Sequence, residues 1–239
     1  MALFVIADLH LSLGNNKPMD IFAGWENYTQ HLERNWRETV TQDDTVVLAG
    51  DISWAMKLEE TEQDFAFIHS LPGKKILIKG NHDYWWSTKS RIEQFLQEKG
   101  FTSLRVLHNN AYIEQGIAVC GTRGWLYHSE TPQDEKIVSR EVGRLIASLE
   151  DAKRQDKAAQ PIVFLHYPPV YGDMVCQEII KVLQDYEVAQ CYFGHIHGNR
   201  ASKKAAVGHY QGIKMHLISC DYVRFTPMEV MPLQLKKQH

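Results

Sequence analysis

Cysteine is scarce. The four present (Cys120, Cys176, Cys191, Cys220) are widely separated, with no C-x-x-C spacing. That excludes a disulfide frame read from spacing and leaves scattered core thiols, as in a reducing compartment. Long apolar runs are also missing, and nothing approaches the roughly 20 residues of a membrane span. The opening Met-Ala-Leu-Phe-Val-Ile has no basic flank and meets Asp8 too soon for a secretory leader, so a cytoplasmic location is expected. Nor is there an excess of positive charge: 26 Lys and Arg face 29 Asp and Glu, for a net charge of -3. No overall field draws the chain to nucleic acid or to a membrane. Repeats, low-complexity segments and a convincing domain boundary are absent, so one domain over 1–239 is expected. What remains is an ordinary globular composition, 44% hydrophobic and 23% charged, enough for a sizeable core.

The most informative stretch is Lys75-Ile-Leu-Ile-Lys-Gly-Asn-His-Asp83. Its apolar, β-branched run predicts a buried strand, and Gly80 lets the backbone turn. Asn81, His82 and Asp83 then stand at the strand's C-terminal edge, where α/β sheets gather their chemistry. The pattern recurs along the chain. Residues 3–7 predict a strand that ends in Asp8-Leu-His10, two side chains spaced to reach one ion together. Residues 45–49 predict another, tipped by Gly50-Asp51. Residues 161–165 deliver His166, and 189–193 deliver Gly194-His-Ile-His-Gly198.

Between these strands, Trp25, Tyr28, Leu32, Trp36 and Val40 fall on one face of a helix, an aromatic stripe read as core packing. Helices are expected over 58–70, from a Ser90-Arg-Ile-Glu93 capping box to Gly100, over 135–153, and over 177–185. The first half is thus β-α-β-α-β-α, the signature of a mostly parallel sheet. Short runs at 104–107, 112–114 and 117–120 suggest antiparallel hairpins. Residues 214–219, 222–226 and 229–231 read as terminal antiparallel strands.

Five of the twelve histidines (His10, His82, His166, His195, His197) lie at strand tips. Imidazoles mixed with hard oxygen ligands suit manganese, iron, zinc or similar divalent ions rather than an all-oxygen calcium site. The set is also too large for one ion. Asp8-x-His10, Gly50-Asp51, Gly80-Asn-His-Asp83, His166 and Gly194-His-x-His197, in that order, resemble the calcineurin-like metallophosphoesterase superfamily. The resemblance implies an α/β fold, a four-layer α/β/β/α sandwich of two mixed sheets flanked by helices. It implies two divalent ions, manganese first and iron or zinc next. Asp8, His10 and His197 would hold one ion, and Asn81, His166 and His195 the other, with Asp51 bridging. A hydroxide between the ions would attack phosphorus, and His82 would protonate the leaving oxygen, with Asp83 orienting His82 or tying up backbone N–H groups at the turn.

One departure bears on substrate. The superfamily's protein phosphatases carry Gly-Asp-x-x-Asp-Arg-Gly, whereas Gly50-Asp51 here continues Ile-Ser-Trp-Ala-Met56. The second Asp and the Arg are missing, which weakens the case for a phosphoprotein substrate. A small-molecule phosphoester is expected instead, nucleotides among the candidates. Trp54, Tyr84, Trp85, Trp86, Trp125 and Tyr127 flank the motifs, and Trp54, Trp85 and Trp125 in particular are candidates to stack on a base. Lys89 and Arg123 are candidate phosphate contacts. A DNA or RNA phosphodiesterase is the second reading, disfavoured by the charge balance and by the lack of a basic run longer than Lys203-Lys204. A non-catalytic scaffold is third, since no ligand position is lost.

Overall fold

We describe a computed structural model of the chain over residues 1–125, 132–205 and 208–231. The elements are β1 (Leu3–Ile6), α1 (Tyr28–Thr39), β2 (Thr45–Ala49), a 3₁₀ turn at Leu58–Thr61 leading into α2 (Glu62–Ser70), β3 (Lys74–Ile78), α3 (Lys89–Glu98) and β4 (Leu104–Val106). There follow β5 (Tyr112–Glu114), β6 (Ile117–Thr122), α4 (Pro132–Gln155), β7 (Gln160–Leu165), β8 (Val170–Tyr171), β9 (Met174–Val175) and α5 (Gln177–Asp185). The chain ends with β10 (Gln190–Phe193), α6 (Asn199–Ser202), β11 (Gly208–Tyr210), β12 (Ile213–Leu217) and β13 (Met228–Glu229).

Two mixed sheets result, ordered β13-β1-β2-β3-β4 and β11-β12-β10-β7-β6-β5. Side chains alternate across each strand, so each sheet has two apolar faces to cover. Phe4, Ile6, Val46, Leu48, Leu77 and Val106 point outward into a core with Leu32, Trp36, Phe65 and Ile92 of α1, α2 and α3. Val5, Val47, Ile76 and Ile78 point inward, against Val119, Ile162, Phe164 and Tyr192 of the second sheet. The outer face of that sheet (Cys120, Val163, Leu165, Cys191, Phe193) packs on Val138, Leu145, Leu149 and Ile180 of α4 and α5. This is the expected α/β/β/α sandwich, with period-2 alternation sorting residues among three cores. All four cysteines are buried and unpaired. No described helix is long and apolar enough to cross a membrane.

Several local expectations need correction. β4 does not form a hairpin with β5: it pairs parallel to β3 at the edge of the first sheet, while β5 and β6 form a hairpin in the second. The chain therefore changes sheets between Val106 and Tyr112. α3 is capped by Thr88, whose hydroxyl accepts from the Arg91 N–H at 3.4 Å, rather than by a box at Ser90. Residues 222–226 form no strand, and 222–225 are turns, because Arg224 and Phe225 take left-handed conformations (φ 54° and 56°). Phe225 thereby reaches the core beside Trp25, ring centroids 5.2 Å apart.

Candidate metal centre

The strands β1, β2, β3, β7 and β10 all run parallel within their sheets. Their C-terminal tips meet along one edge of the sandwich. Side chains there are crowded by design of the backbone. A Cβ on Gly80 would fall 2.1 Å from both the N and Oδ1 of Asp51, and one on Gly194 would fall 2.5 Å from Asp8 Oδ2. Only glycine fits at these points of close approach. Asp8, His10, Asp51 and His195 all sit at positive φ (62°, 45°, 50° and 71°), an uncommon backbone for such residues that turns their side chains toward the edge.

Two sets of ligand-type atoms converge. Asp8, His10 and His197 bring one atom each within 4.8 Å of one another, and Asp51, His166 and His195 do the same. Asp51 faces both sets, with its Oδ2 3.8 Å from His10 Nε2 and 3.5 Å from His166 Nε2. Asn81 joins the second set through its Oδ1, 2.6 Å from His166 Nε2.

These atoms fit divalent cations for a reason visible in the hydrogen bonds. His166 Nδ1 donates to the Ala49 carbonyl at 3.2 Å, so its Nε2 presents a lone pair to the Asn81 oxygen and the Asp51 carboxylate. His197 Nδ1 likewise donates to Asp221 at 2.9 Å, and its Nε2 faces His10 Nε2 at 3.4 Å and Asp8 Oδ1 at 3.7 Å. Around His166 acceptors face acceptors, a conflict that a cation resolves. Neither Asp8 nor Asp51 has a Lys or Arg ion pair among the described residues. Burial, then the neighbouring Asp8 charge, pushes Asp51 up to about 8. Burial lowers His10 and His195 to about 3, which keeps both imidazoles in the neutral, ligating form. Burial also opposes a charge on His197, but the Asp8 and Asp221 carboxylates outweigh it and raise that residue to about 10. A proton there occupies the place where a metal's charge would act.

His82 lies at the mouth. Its backbone N–H donates to Asp51 Oδ1 at 2.7 Å, and its ring lies against Trp54, with centroids 4.5 Å apart. Burial and the nearby His166 lower its pKa. Asp83 does not orient it. The fully buried Asp83 carboxylate accepts from the backbone N–H groups of Gly80 (2.7 Å), Ile52 (2.9 Å) and Ser53 (3.3 Å) and from the Trp85 indole (3.0 Å). It fixes the turn that carries Asn81 and His82, the second of the two roles expected for it.

The aromatic and basic candidates separate. Trp54 stacks on His10 (4.8 Å, 22°), with Lys17 5.5 Å above its ring, and so stands at the site. Trp85 is 2% exposed and packed edge-on against Phe65, so it cannot meet a base. Trp125 is half-buried, packs on Tyr167 and donates to Asp134 at 2.9 Å. Lys89 pairs with Glu93 one turn along α3 at 3.7 Å. Arg123 lies 3.6 Å from Glu141 and over the Trp125 ring. Tyr127 lies outside the described residues.

Two neighbours escape a reading of motifs. Asp221 binds both the His197 ring and the Gly198 N–H (2.8 Å). It lies in a turn beyond the end of β12 at Leu217, farther along than Asp8 and Asp51 stand from their strands, so no motif marked it. Tyr28, read as core, also donates its hydroxyl to the His10 carbonyl at 2.9 Å.

A layered sandwich with two clusters of carboxylate and imidazole ligands at one strand edge is the architecture of a metal-dependent phosphoesterase. The chain belongs to the calcineurin-like phosphoesterase family, whose model matches residues 1–199. No match was found among curated proteins. Among solved structures, it is similar to phosphopantetheinyl hydrolase from Mycobacterium tuberculosis (15% identity, TM-score 0.57, 100% of this chain and 97% of that one). It is also similar to a protein of unknown function from Aquifex aeolicus (16% identity, TM-score 0.54, 95% of each chain). At such identities the likeness is one of fold.

Proposed function

We propose that this chain is a single-domain, cytoplasmic phosphohydrolase that uses two divalent ions to cleave a small-molecule phosphoester. The observation that carries the reading is the pair of ligand sets with Asp51 facing both. Asp8, His10 and His197 would hold one ion and Asn81, His166 and His195 the other, with Asp51 shared between them. When bound, the ions supply Lewis-acid activation of water and neutralise charge on the phosphoryl group. The protein's own part is positional. Asp83 fixes the turn, Asp221 holds the His197 ring, and Gly80 lets Asp51 approach Asn81. His82 hands a proton to the leaving oxygen, which its place at the mouth supports.

Trp54 is the ring placed to stack on a nucleotide-like leaving group, because it alone of the three candidate tryptophans lines the mouth. A phosphate-release screen over nucleotides, sugar phosphates and diesters with added manganese tests the whole reading, run on wild type and Trp54→Ala. The expected result is metal-dependent release, with KM for a nucleotide raised about 5- to 150-fold in the variant and a small non-aromatic ester little changed. No release from any ester would overturn the function. Equal losses on both substrates would overturn the stacking role alone.

A further inference from the structure

Beside the second ligand set lies a cluster of basic side chains that the reaction as described does not use. Lys79, His108, Arg123 and Arg144 line one narrow cleft together with Ile78, Leu107 and Gly121. Among the described residues one carboxylate, Glu141, is ion-paired with them, while Asp83 acts on Lys79 from its buried turn. Glu141, 1% exposed, accepts from Thr122 Oγ1 at 2.5 Å and pairs with Arg144 at 2.7 Å and Arg123 at 3.6 Å. A single guanidinium suffices to balance a single buried carboxylate, and Arg144 holds the shorter contact. The remaining cations are in excess. Arg123 Nε is buried with no hydrogen-bond partner among the described residues, while its guanidinium is held over Trp125 at 5.2 Å. Lys79 forms no ion pair among the described residues. Its ammonium shares the cleft with the Arg123 and Arg144 guanidiniums. Such crowding destabilises the unliganded protein and is relieved by an anion.

The cluster is tied to the metal centre by short chain segments. Lys79 directly precedes the Gly80-Asn81 turn. The Arg123 carbonyl accepts from the N–H groups of His166 (3.1 Å) and Tyr167 (2.9 Å), and the Tyr167 ring lies 4.3 Å from that of His195. The cleft itself holds about 10 Å³, room for a water, so a larger anion would have to sit at its mouth among the charged heads.

We infer that Lys79, Arg123 and Arg144, with His108, form an anion subsite that takes a second phosphate of the substrate. The inference rests on the proposed function and narrows it: the substrate class is a phosphoester with a further phosphate beyond the one cleaved, such as a diphosphate or bisphosphate. A guanidinium fork and an ammonium suit phosphate oxygens better than a lone carboxylate does.

The test is calorimetric titration of the manganese-loaded protein with inorganic pyrophosphate and with inorganic phosphate, for wild type, Lys79→Gln and Arg144→Gln. Each variant is expected to weaken pyrophosphate roughly tenfold while weakening phosphate much less. KM for a two-phosphate ester should rise by a similar factor relative to that for a one-phosphate ester. Because Arg144→Gln removes the nearest charged partner of Glu141, a melting curve checks its fold, and Lys79→Gln decides alone if Arg144→Gln unfolds. Unchanged pyrophosphate affinity, or equal weakening of both anions, overturns the subsite. Should the wild type hydrolyse no ester, the proposed function fails, and the pyrophosphate titration still judges the subsite separately.

Discussion

Replacing Gly80 by alanine adds one methyl group and tests how closely the centre is built. The new Cβ would lie 2.1 Å from Asp51 N and from Asp51 Oδ1 and 2.9 Å from Asp51 Cα. Cβ atoms essentially never approach other atoms within 3.0 Å, so Asp51 or the Gly80 turn must retreat by about 1 Å. The obstacle is mostly backbone, which cannot swing aside as a long side chain can. The retreat also stretches the 2.7 Å bond from the His82 N–H to Asp51 Oδ1. A misplacement of about 1 Å at a reacting centre costs on the order of 10² in rate. Gly80→Ala should therefore lower both metal occupancy and turnover, turnover by at least about 10². Gly143, inside α4 with nothing within 4 Å of its would-be Cβ, provides the control. There the same methyl group should leave the metals alone and stabilise the fold by about 0.4–1 kcal/mol. Elemental analysis, turnover and melting curves on the two variants read the contrast. Full occupancy and near-normal turnover in Gly80→Ala would refute the reasoning that Asp51 is held by close packing.

Three further outcomes are expected. His82→Ala should keep its metals yet lose about 10²–10⁴ in turnover, with a smaller loss for nitrophenyl esters, whose leaving groups need little protonation; equal losses would point to phosphate binding instead. Asp221→Asn should loosen the His197 ring and weaken metal affinity about 10- to 100-fold, measured by competition with a chelator, and unchanged affinity would remove Asp221 from the account. Lys75 is fully buried, with its ammonium on the Leu71 carbonyl, and burial followed by the Arg37 charge lowers its pKa from 10.5 to about 8. From about pH 8 to 10.5 the unfolded chain thus binds a proton that the folded chain lacks, and this group makes stability rise with pH across that window. Lys75→Met should abolish the rise and gain about 1 kcal/mol at pH 7, net of the unpaired Leu71 carbonyl; urea melts at pH 7 and 10 decide it.

The strand tips were legible because each is local. A β-branched run announces a strand, and the polar residue that follows it must stand at the edge. Asp8, His10, Asp51, Asn81, His166, His195 and His197 lie where that logic puts them, gathered at one edge of the sandwich. What the sequence hid was pairing. Nothing local distinguishes a β4 that continues the first sheet from one that begins a hairpin, since both need the same short apolar run. Nor does the position of Trp85, two residues past Asp83, reveal that its indole turns inward to Asp83 while Trp54 turns out to His10. Side-chain direction at a turn depends on backbone conformation, and at residues 224–225 that conformation is left-handed against ordinary preference. Asp221 reaches His197, and Glu141 reaches Thr122, across 24 and 19 residues, distances at which residue spacing carries no signal.

The central claim is that two ions share Asp51. Protein prepared without chelator and analysed for manganese, iron and zinc should carry close to two divalent ions per chain, and Asp51→Asn should lower that number more than His10→Ala does. A single tightly held ion, retained in full by Asp51→Asn, would contradict the account.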